Sequence, residues 1–114
     1  MVVITDRYPQ DEIVGFNDGP LLTRLSKVPA WLRTVESAAY ALARRLPPDL
    51  VLKLDVRPET AATREPDMDP DLIPRRMAEL RRLTFASARV ATVDAERPLE
   101  DVIRAVKREI WQLL

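Results

Sequence analysis

The chain has 114 residues, enough for one domain with one core, and 46% apolar with 32% charged residues is ordinary for a globular protein. Eighteen basic side chains balance eighteen acidic ones, so no overall field directs the chain to nucleic acid or to an anionic membrane. Because cysteine and histidine are absent, thiol chemistry, imidazole catalysis and zinc sites built from these ligands are excluded. No signal-peptide pattern and no apolar run of about twenty residues is present, so we expect a cytoplasmic protein without a membrane partner.

The first predicted element is an apolar strand over residues 2–5. It ends on Asp6 and Arg7, and Pro9 prevents the strand from continuing. Valine and isoleucine favour the buried strands of parallel sheets. Because open α/β folds bind ligands at the carboxyl ends of their strands, Asp6 and Arg7 are candidate ligand-binding residues. A surface ion pair that closes the strand is the alternative.

A loop with turn residues at 17–19 leads to a helix that begins near Pro29 and ends before Pro47. The apolar positions of this helix form one stripe at helical spacing. They are Trp31, Leu32, Val35, Ala38, Ala39, Leu42, Ala43 and Leu46.

A second predicted strand, residues 50–56, repeats the opening pattern, an apolar run followed by a carboxylate, Asp55. Pro58 begins a short helix that ends at Arg64. The acidic and proline-rich segment 67–74 has the composition of a mobile surface segment.

Regular helix resumes over residues 74–83, with arginines mostly outward. A third strand, residues 89–95, again delivers a carboxylate, Asp94, and the last helix runs from Pro98 to the C-terminus. The order of strands and helices predicts an α/β fold with parallel strands and right-handed crossovers. All three strand ends, with Asp6, Asp55 and Asp94, are then expected along one edge of the sheet.

Three stretches resemble, in the same order, the C-terminal two-thirds of the thymidylate kinase family of nucleoside monophosphate kinases. Residues 4–8, Ile-Thr-Asp-Arg-Tyr, resemble the family's Asp-Arg-Tyr strand end. Residues 48–61 resemble its Pro-Asp-Leu…Leu-Asp-Val-x-Pro-Glu-x-Ala stretch, and residues 93–102 its Asp-Ala-x-x-Pro-Leu-Glu-x-Val stretch. The resemblance covers nearly the whole chain, as one domain over residues 1–114.

The resemblance implies an enzyme that transfers the γ-phosphate of ATP, with Mg²⁺, to a nucleoside monophosphate such as dTMP. Arg7 would then grip the acceptor phosphate, with Asp6 beside it ordering the site. Positioning and charge neutralisation, which arginines supply, dominate this kind of catalysis.

The resemblance also implies a lid over about residues 64–76. Arg64 matches the family's arginine at the start of the lid, whereas Arg75 and Arg76 are lid-like by position only. A solvated helix face is the alternative for each lid arginine. The backbone around Asp94 and Ala95 would border the adenine of ATP.

The phosphate-binding loop G-x-x-x-x-G-K-[ST], on which this chemistry depends, is absent from the sequence. We therefore expect a fragment or truncated form of a thymidylate kinase-like enzyme. Its fold would be three-layered, with a parallel sheet of about three strands that lacks the family's first, central strand. Residues 16–20 also replace the family's usual Tyr-Gln-Gly-type loop, so a thymidine preference is not implied. By itself the chain is expected to bind no ATP, to use no metal ligand of its own and to catalyse no phosphoryl transfer.

Two alternatives stay open from the sequence. One is a non-catalytic nucleotide-binding or protein-interaction module derived from the same fold. The other is a phosphoacceptor domain with Asp55 as acceptor, which fits less well because such domains need an acidic cluster at the first strand and a lysine at the end of the last, and here the last strand ends on Asp94 and Ala95. The apolar strands on either side of the missing one would pair directly or recruit another chain, which predicts self-association or a homodimer.

Overall fold

The structure is a computed structural model that describes residues 1–16, 19–85 and 88–114, so the turn predicted at 17–19 lies partly outside the described residues. Two parallel strands and four α-helices are present in this part of the chain, which confirms the α/β class. In chain order the elements are a 3-10 helix (Leu22–Arg24), α1 (Ala30–Arg45), β1 (Leu50–Asp55), α2 (Pro58–Arg64), α3 (Leu72–Arg82), β2 (Arg89–Asp94) and α4 (Leu99–Trp111).

The chain divides into two compact units. The first comprises Met1–Pro48 and the segment that begins at Leu83, and the second comprises Asp49–Arg82 and Ala88–Leu114. All strands and helices from β1 onward belong to the second unit.

The sheet of the second unit consists of β1 and β2, which pair in parallel with Leu50 opposite Arg89 and Asp55 opposite Asp94. Both strands therefore end at the same level. In the part of the chain that the structure describes, β1 has no strand neighbour on its other side.

Helices border both faces of this sheet. On one face Arg89 donates to Glu109 of α4 at 3.1 Å. On the other, the ammonium of Lys53 donates to the carbonyl oxygen of Arg81 in α3 at 3.2 Å. Leu50 is the register partner of Arg89, and Lys53 lies three positions after Leu50 on β1. Because successive side chains of a strand point to alternate faces, the side chains of Leu50 and Lys53 lie on opposite faces of the sheet. The result is the expected three-layer arrangement, built on two strands.

The core of the second unit is formed by the buried side chains Ile73, Val93, Ala95 and Val102. Proline and acidic residues set the starts of its helices as predicted. Pro58 occupies the first turn of α2, where its missing N–H costs nothing. Glu100 and Asp101 lie in the first turn of α4, where negative charge is favourable.

In the first unit the predicted strand over residues 2–5 is wrong. These residues belong to no ladder, and Val2, Val3 and Ile4 are 59%, 69% and 80% exposed. A strand needs a neighbour for its backbone N–H and C=O groups, and no described strand pairs with this segment. Asp6 therefore does not lie at a strand end, and only Asp55 and Asp94 share the edge of the sheet.

The loop after this segment is organised by the buried amide of Gln10. Its nitrogen donates to the carbonyl oxygens of Ile13, at 3.0 Å, and of Phe16, and its oxygen accepts the N–H of Ile13 at 2.9 Å. Gly19 donates to the carbonyl oxygen of Phe16 at 2.8 Å, and a Cβ on Gly19 would lie 2.1 Å from the carbonyl oxygen of Ile13. Only glycine fits at this position.

Candidate functional site

The site supported by the second unit is the carboxyl edge of its sheet. Beyond β2, the N–H of Ala95 donates to the carbonyl oxygen of Asp55 at 2.8 Å, which extends the ladder by one bond. The carbonyl oxygen of Ala95 accepts from the guanidinium of Arg64 at 3.1 Å. Two residues predicted from separate motifs, Arg64 and Ala95, are thus in direct contact, and both backbone polar groups of Ala95 have protein partners.

The two strand-end carboxylates each face an arginine. Asp55 accepts two bonds from Arg81, at 2.9 and 3.1 Å. Asp94 accepts the N–H of Glu96 at 3.0 Å and lies 3.4 Å from Arg97. These ion pairs are exposed, and exposed pairs contribute about 0–1 kcal/mol. The carboxylates therefore hold these two arginines only weakly.

Glu96 joins the loop after β1 to the loop after β2. Its carboxylate accepts the N–H of Arg57 at 2.7 Å, the hydroxyl of Thr60 at 3.0 Å and the guanidinium of Arg57 at 3.4 Å. The hydrogen bond from the Arg57 backbone, followed by the bond from Thr60, holds the pKa of Glu96 below its usual value, while partial burial opposes them. The carboxylate also caps α2, which has no side-chain cap of its own.

A cleft of about 300 Å³ lies beside this edge, around Lys53. The Lys53 side chain is buried although it carries an ammonium group. Its bond to the carbonyl of Arg81 places the charge against the C-terminal end of α3, where positive charge is favourable. The lining residues are Lys53, Leu54, Asp55, Leu80, Arg81 and Thr92.

Sequence reasoning missed Arg57, Glu96 and Lys53 as parts of this edge. One local signal was present for Arg57: it precedes Pro58 at a helix start, so its N–H needs an acceptor from elsewhere. The acceptor is 39 positions away, which no spacing rule indicates. Lys53 is the only basic residue of the apolar strand β1, and its helix partner Arg81 is 28 positions away in sequence.

The predicted acceptor-binding residues Asp6 and Arg7 belong to the first unit, where both are exposed. The next residue of the motif, Tyr8, donates its hydroxyl to the carbonyl oxygen of Leu46 just beyond α1. The motif is thus anchored through its tyrosine. Roles for Asp6 and Arg7 in binding a phosphate stay predictions.

The predicted lid arginines Arg75 and Arg76 lie on α3, on regular helix. Arg75 pairs with Glu79 one turn later, at 3.2 Å, and Arg76 is exposed. A lid function for these two residues stays a prediction.

In the described ranges, no three acidic side chains lie close enough together to hold a metal ion. These ranges therefore contain no ligand set of this kind for the Mg²⁺ that the resemblance implies. In the same ranges, no helix has the length and apolar character needed to cross a membrane.

The chain is similar over nearly its whole length to two proteins of Escherichia coli strain K12. It is 33% identical over 117 residues to one named "Uncharacterized ATP-binding protein YghS", a match that covers 99% of this chain and 49% of that protein. It is 25% identical over 114 residues to one named "Uncharacterized ATP-binding protein YghR", covering 96% of this chain and 45% of that protein. No family model and no solved structure matches.

The chain therefore spans about half the length of the curated relatives it matches. Similarity to proteins named as ATP-binding is confirmed. Neither relative's name mentions thymidylate kinase, so that narrower resemblance stays a prediction.

Proposed function

We propose that this chain supplies one part of an ATP-binding protein, and that the carboxyl edge of its sheet contacts the nucleotide. The observation that carries the proposal is the similarity, over 99% and 96% of the chain, to two proteins named as ATP-binding. Nucleotides bind at this edge of α/β sheets as a rule. The register that puts Asp55 beside Asp94 gives the chain such an edge.

The chemistry of the edge supports an anionic ligand. Guanidinium groups are concentrated there, and their planar fork suits bidentate contact with phosphate oxygens. The members are Arg57, Arg64, Arg81 and Arg97, each with a protein partner in the structure. Since the N–H of Ala95 is already bonded, a nucleotide base near Asp94 and Ala95 is held by side chains or by the Ala95 carbonyl oxygen, which accepts from Arg64 and keeps a second lone pair.

The narrower proposal is phosphoryl transfer from ATP to a nucleoside monophosphate, on the strength of the three stretches that resemble thymidylate kinases. Arg7 and Asp6 would serve the acceptor, and Arg64 the lid. The sequence has no Gly-rich phosphate loop, whose N–H groups and lysine hold the donor phosphates. The chain alone is therefore expected to form no ADP from ATP with any nucleoside monophosphate. Turnover above that of a blank preparation would refute this.

A chimera tests the wider proposal. The matching stretch of YghS is replaced by this chain, and ATP binding is measured by calorimetry alongside unaltered YghS, with circular dichroism to show that the chimera is folded. We expect the two affinities for ATP to lie within about tenfold of each other, which corresponds to a difference in binding free energy of less than about 1.4 kcal/mol. A folded chimera that binds no ATP, next to a YghS that does, would contradict the proposal.

Within the chimera, Arg64→Ala is expected to weaken ATP binding by roughly one to two decades, as for a lost charge-assisted bond of about 1.5–3 kcal/mol. Arg104→Ala is the matched control, because Arg104 is an exposed arginine on α4 whose partner, Asp101, lies on the same helix. Equal affinities for the two variants would remove Arg64 from the site.

A further inference from the structure

Helix α2 is attached at both ends to the two adjacent residues that follow β2. At its start, the carboxylate of Glu96 accepts the backbone N–H of Arg57 at 2.7 Å. At its end, the guanidinium of Arg64 donates to the carbonyl oxygen of Ala95 at 3.1 Å. The whole helix is thus bonded to one short segment at the carboxyl edge of the sheet.

These bonds are important because α2 has few other contacts that could fix its place. It has seven residues, and isolated helices shorter than about twelve residues are marginal in water. None of its residues is buried, and after Pro58 its only apolar side chains are Ala61 and Ala62, which are half-buried. Polar bonds to the segment after β2 therefore contribute much of what decides where α2 lies.

A second bond to Glu96 sets the direction in which Arg64 projects from the helix. The hydroxyl of Thr60 donates to the Glu96 carboxylate at 3.0 Å. Thr60 and Arg64 are four positions apart, so they lie on the same face of α2. The bond from Thr60 turns this face towards residues 95 and 96, where Arg64 meets the Ala95 carbonyl oxygen. Loss of the bond frees α2 to rotate about its axis and to carry the guanidinium away from the edge.

The anchor itself is fixed to the sheet. The N–H of Glu96 donates to the carboxylate of Asp94, the last residue of β2, at 3.0 Å. The N–H of Ala95 donates to the carbonyl oxygen of Asp55, the last residue of β1, at 2.8 Å. Glu96 is therefore held by both strand ends, and support of this kind is what keeps the side chains of a binding site in place.

We propose that Glu96 is a positioning residue of the nucleotide site and that it acts through Arg64. Its bonds to Arg57 and Thr60 fix the start and the rotation of α2, and hence the place of the Arg64 guanidinium at the edge. Because a shift of about 1 Å in a binding group is costly, loss of this anchor weakens nucleotide binding. The inference rests on the proposed function, since it takes the nucleotide as the ligand of Arg64.

The sign of the change in ATP affinity separates positioning from simple charge repulsion. ATP is an anion, so removal of a nearby carboxylate should by itself strengthen its binding. Loss of the anchor should instead weaken it, and we expect Glu96→Ala in the chimera with YghS to bind ATP about tenfold more weakly by calorimetry. Glu100→Ala is the matched control, because Glu100 is an exposed carboxylate in the first turn of α4, and it should not weaken binding.

Two outcomes of this calorimetry have different meanings. A folded chimera that binds no ATP would refute the proposed function, and the role of Glu96 with it. A chimera that binds ATP, and whose affinity Glu96→Ala leaves unchanged or raises, would overturn the role of Glu96 alone.

A double-mutant cycle tests whether Glu96 acts through Arg64. In the Arg64→Ala background, Glu96→Ala should change the ATP affinity by less than about twofold, because no guanidinium remains to be placed. A merely structural role would weaken binding equally in both backgrounds. The full loss in the Arg64→Ala background would therefore overturn the proposal.

Conservative variants keep the test decisive if Glu96→Ala disturbs the fold. Glu96→Gln retains a side-chain oxygen that accepts the N–H of Arg57, and its ATP affinity should lie within about threefold of the unaltered chimera. Thr60→Val keeps the shape of the side chain without its hydroxyl and should weaken binding about threefold, whereas Thr60→Ser should not. Equal affinities of the two Thr60 variants would contradict the proposed rotation.

Amide hydrogen exchange of the full chain tests the anchor without nucleotide. The N–H groups of Ala61 and Glu65 bond to carbonyl oxygens one turn earlier, at 3.0 and 2.9 Å. Glu96→Ala should accelerate exchange at these two amides about tenfold, while β1 and β2 keep their protection. Unchanged exchange at Ala61 and Glu65 would show that Glu96 does not hold α2 and would overturn the proposal.

Discussion

The two compact units of this chain are stabilised in different ways. In the second unit, paired strands and helices on both faces enclose Ile73, Val93 and Val102. In the first, the described residues of the 1–48 segment bury only Gln10, Gly19 and Pro20. Side chains bonded to backbone groups hold that segment, and each such bond contributes about 0.5–1.5 kcal/mol net.

The number of buried apolar side chains in the second unit and in the 1–48 segment differs because helices cover both faces of the sheet, whereas many apolar side chains of the 1–48 segment have no such cover. In the first unit, many large apolar side chains are exposed, among them Val2, Val3 and Ile4 and, on α1, Trp31, Val35 and Leu42. Besides these bonds, the first unit buries two apolar side chains of its second segment, Leu83 and Phe85, which are 2% and 7% exposed. Four substitutions test whether the contrast holds in solution.

The largest effect is expected in the core of the second unit. Ile73→Ala should lower the free energy of unfolding by about 2–5 kcal/mol, because Ile73 is only 3% exposed and leaves a cavity. Leu72→Ala, at a neighbouring position that is 41% exposed, should cost less than half as much. Urea unfolding followed by circular dichroism measures both. Similar losses would mean that the core is not where the structure puts it.

A smaller effect is expected in the first unit from Gln10→Ala. Loss of the amide leaves the carbonyl oxygens of Ile13 and Phe16 without their donor, at about 1–3 kcal/mol. Amide hydrogen exchange should accelerate at Ile13 and Gly19 while β1 and β2 keep their protection. Equal acceleration in the sheet would show that the two units unfold together.

A pH-dependent effect is expected from Glu96→Gln. Because hydrogen bonds lower the pKa of Glu96 in the folded state, its stabilisation is complete above the ordinary value of 4.5 and is lost as the pH falls through the lower folded value. Between about pH 5 and pH 3 the Tm of the wild type should therefore fall more steeply than that of Glu96→Gln, and the two curves should converge. Parallel curves would show that the carboxylate does not cap α2.

The smallest effect is expected from Ile4→Thr. Ile4 is exposed and unpaired, so the free energy of unfolding should change by less than about 0.5 kcal/mol. Val93→Thr makes a matching change in β2 at a position that is 5% exposed and should cost clearly more. If Ile4→Thr cost as much as Val93→Thr, residues 2–5 would be packed in solution and the contrast between the units would fail.

Local patterns predicted most of the second unit, but the expectation of a mobile surface segment over residues 67–74 was wrong at its end, because α3 already begins at Leu72 and Ile73 is buried in the core. The starts of α2 and α4 and both ends of β1 and β2 lie within one residue of the predicted positions, whereas α4 ends three residues before the predicted C-terminal end. The apolar run at residues 2–5 misled, because a strand exists only with a partner, and a short apolar run says nothing about whether a partner is present.

The candidate site was predictable only in part, for a similar reason. Asp55, Asp94 and Ala95 follow from the strand ends, and their meeting follows from parallel pairing. The contacts made by Glu96 and Lys53 join positions 28 to 39 residues apart, which the folded chain brings together and the sequence does not mark.

The buried ammonium of Lys53 has a consequence for the alignment of the sheet. A two-stranded parallel sheet has few bonds to resist a slip of one residue, and such a slip exchanges the faces of every side chain. If β1 slipped, Lys53 would leave the carbonyl oxygen of Arg81 and turn towards the face that α4 covers. A charge buried there without a partner is costly. The bond from Lys53 to Arg81 thus favours the observed strand register, in which Asp55 lies opposite Asp94.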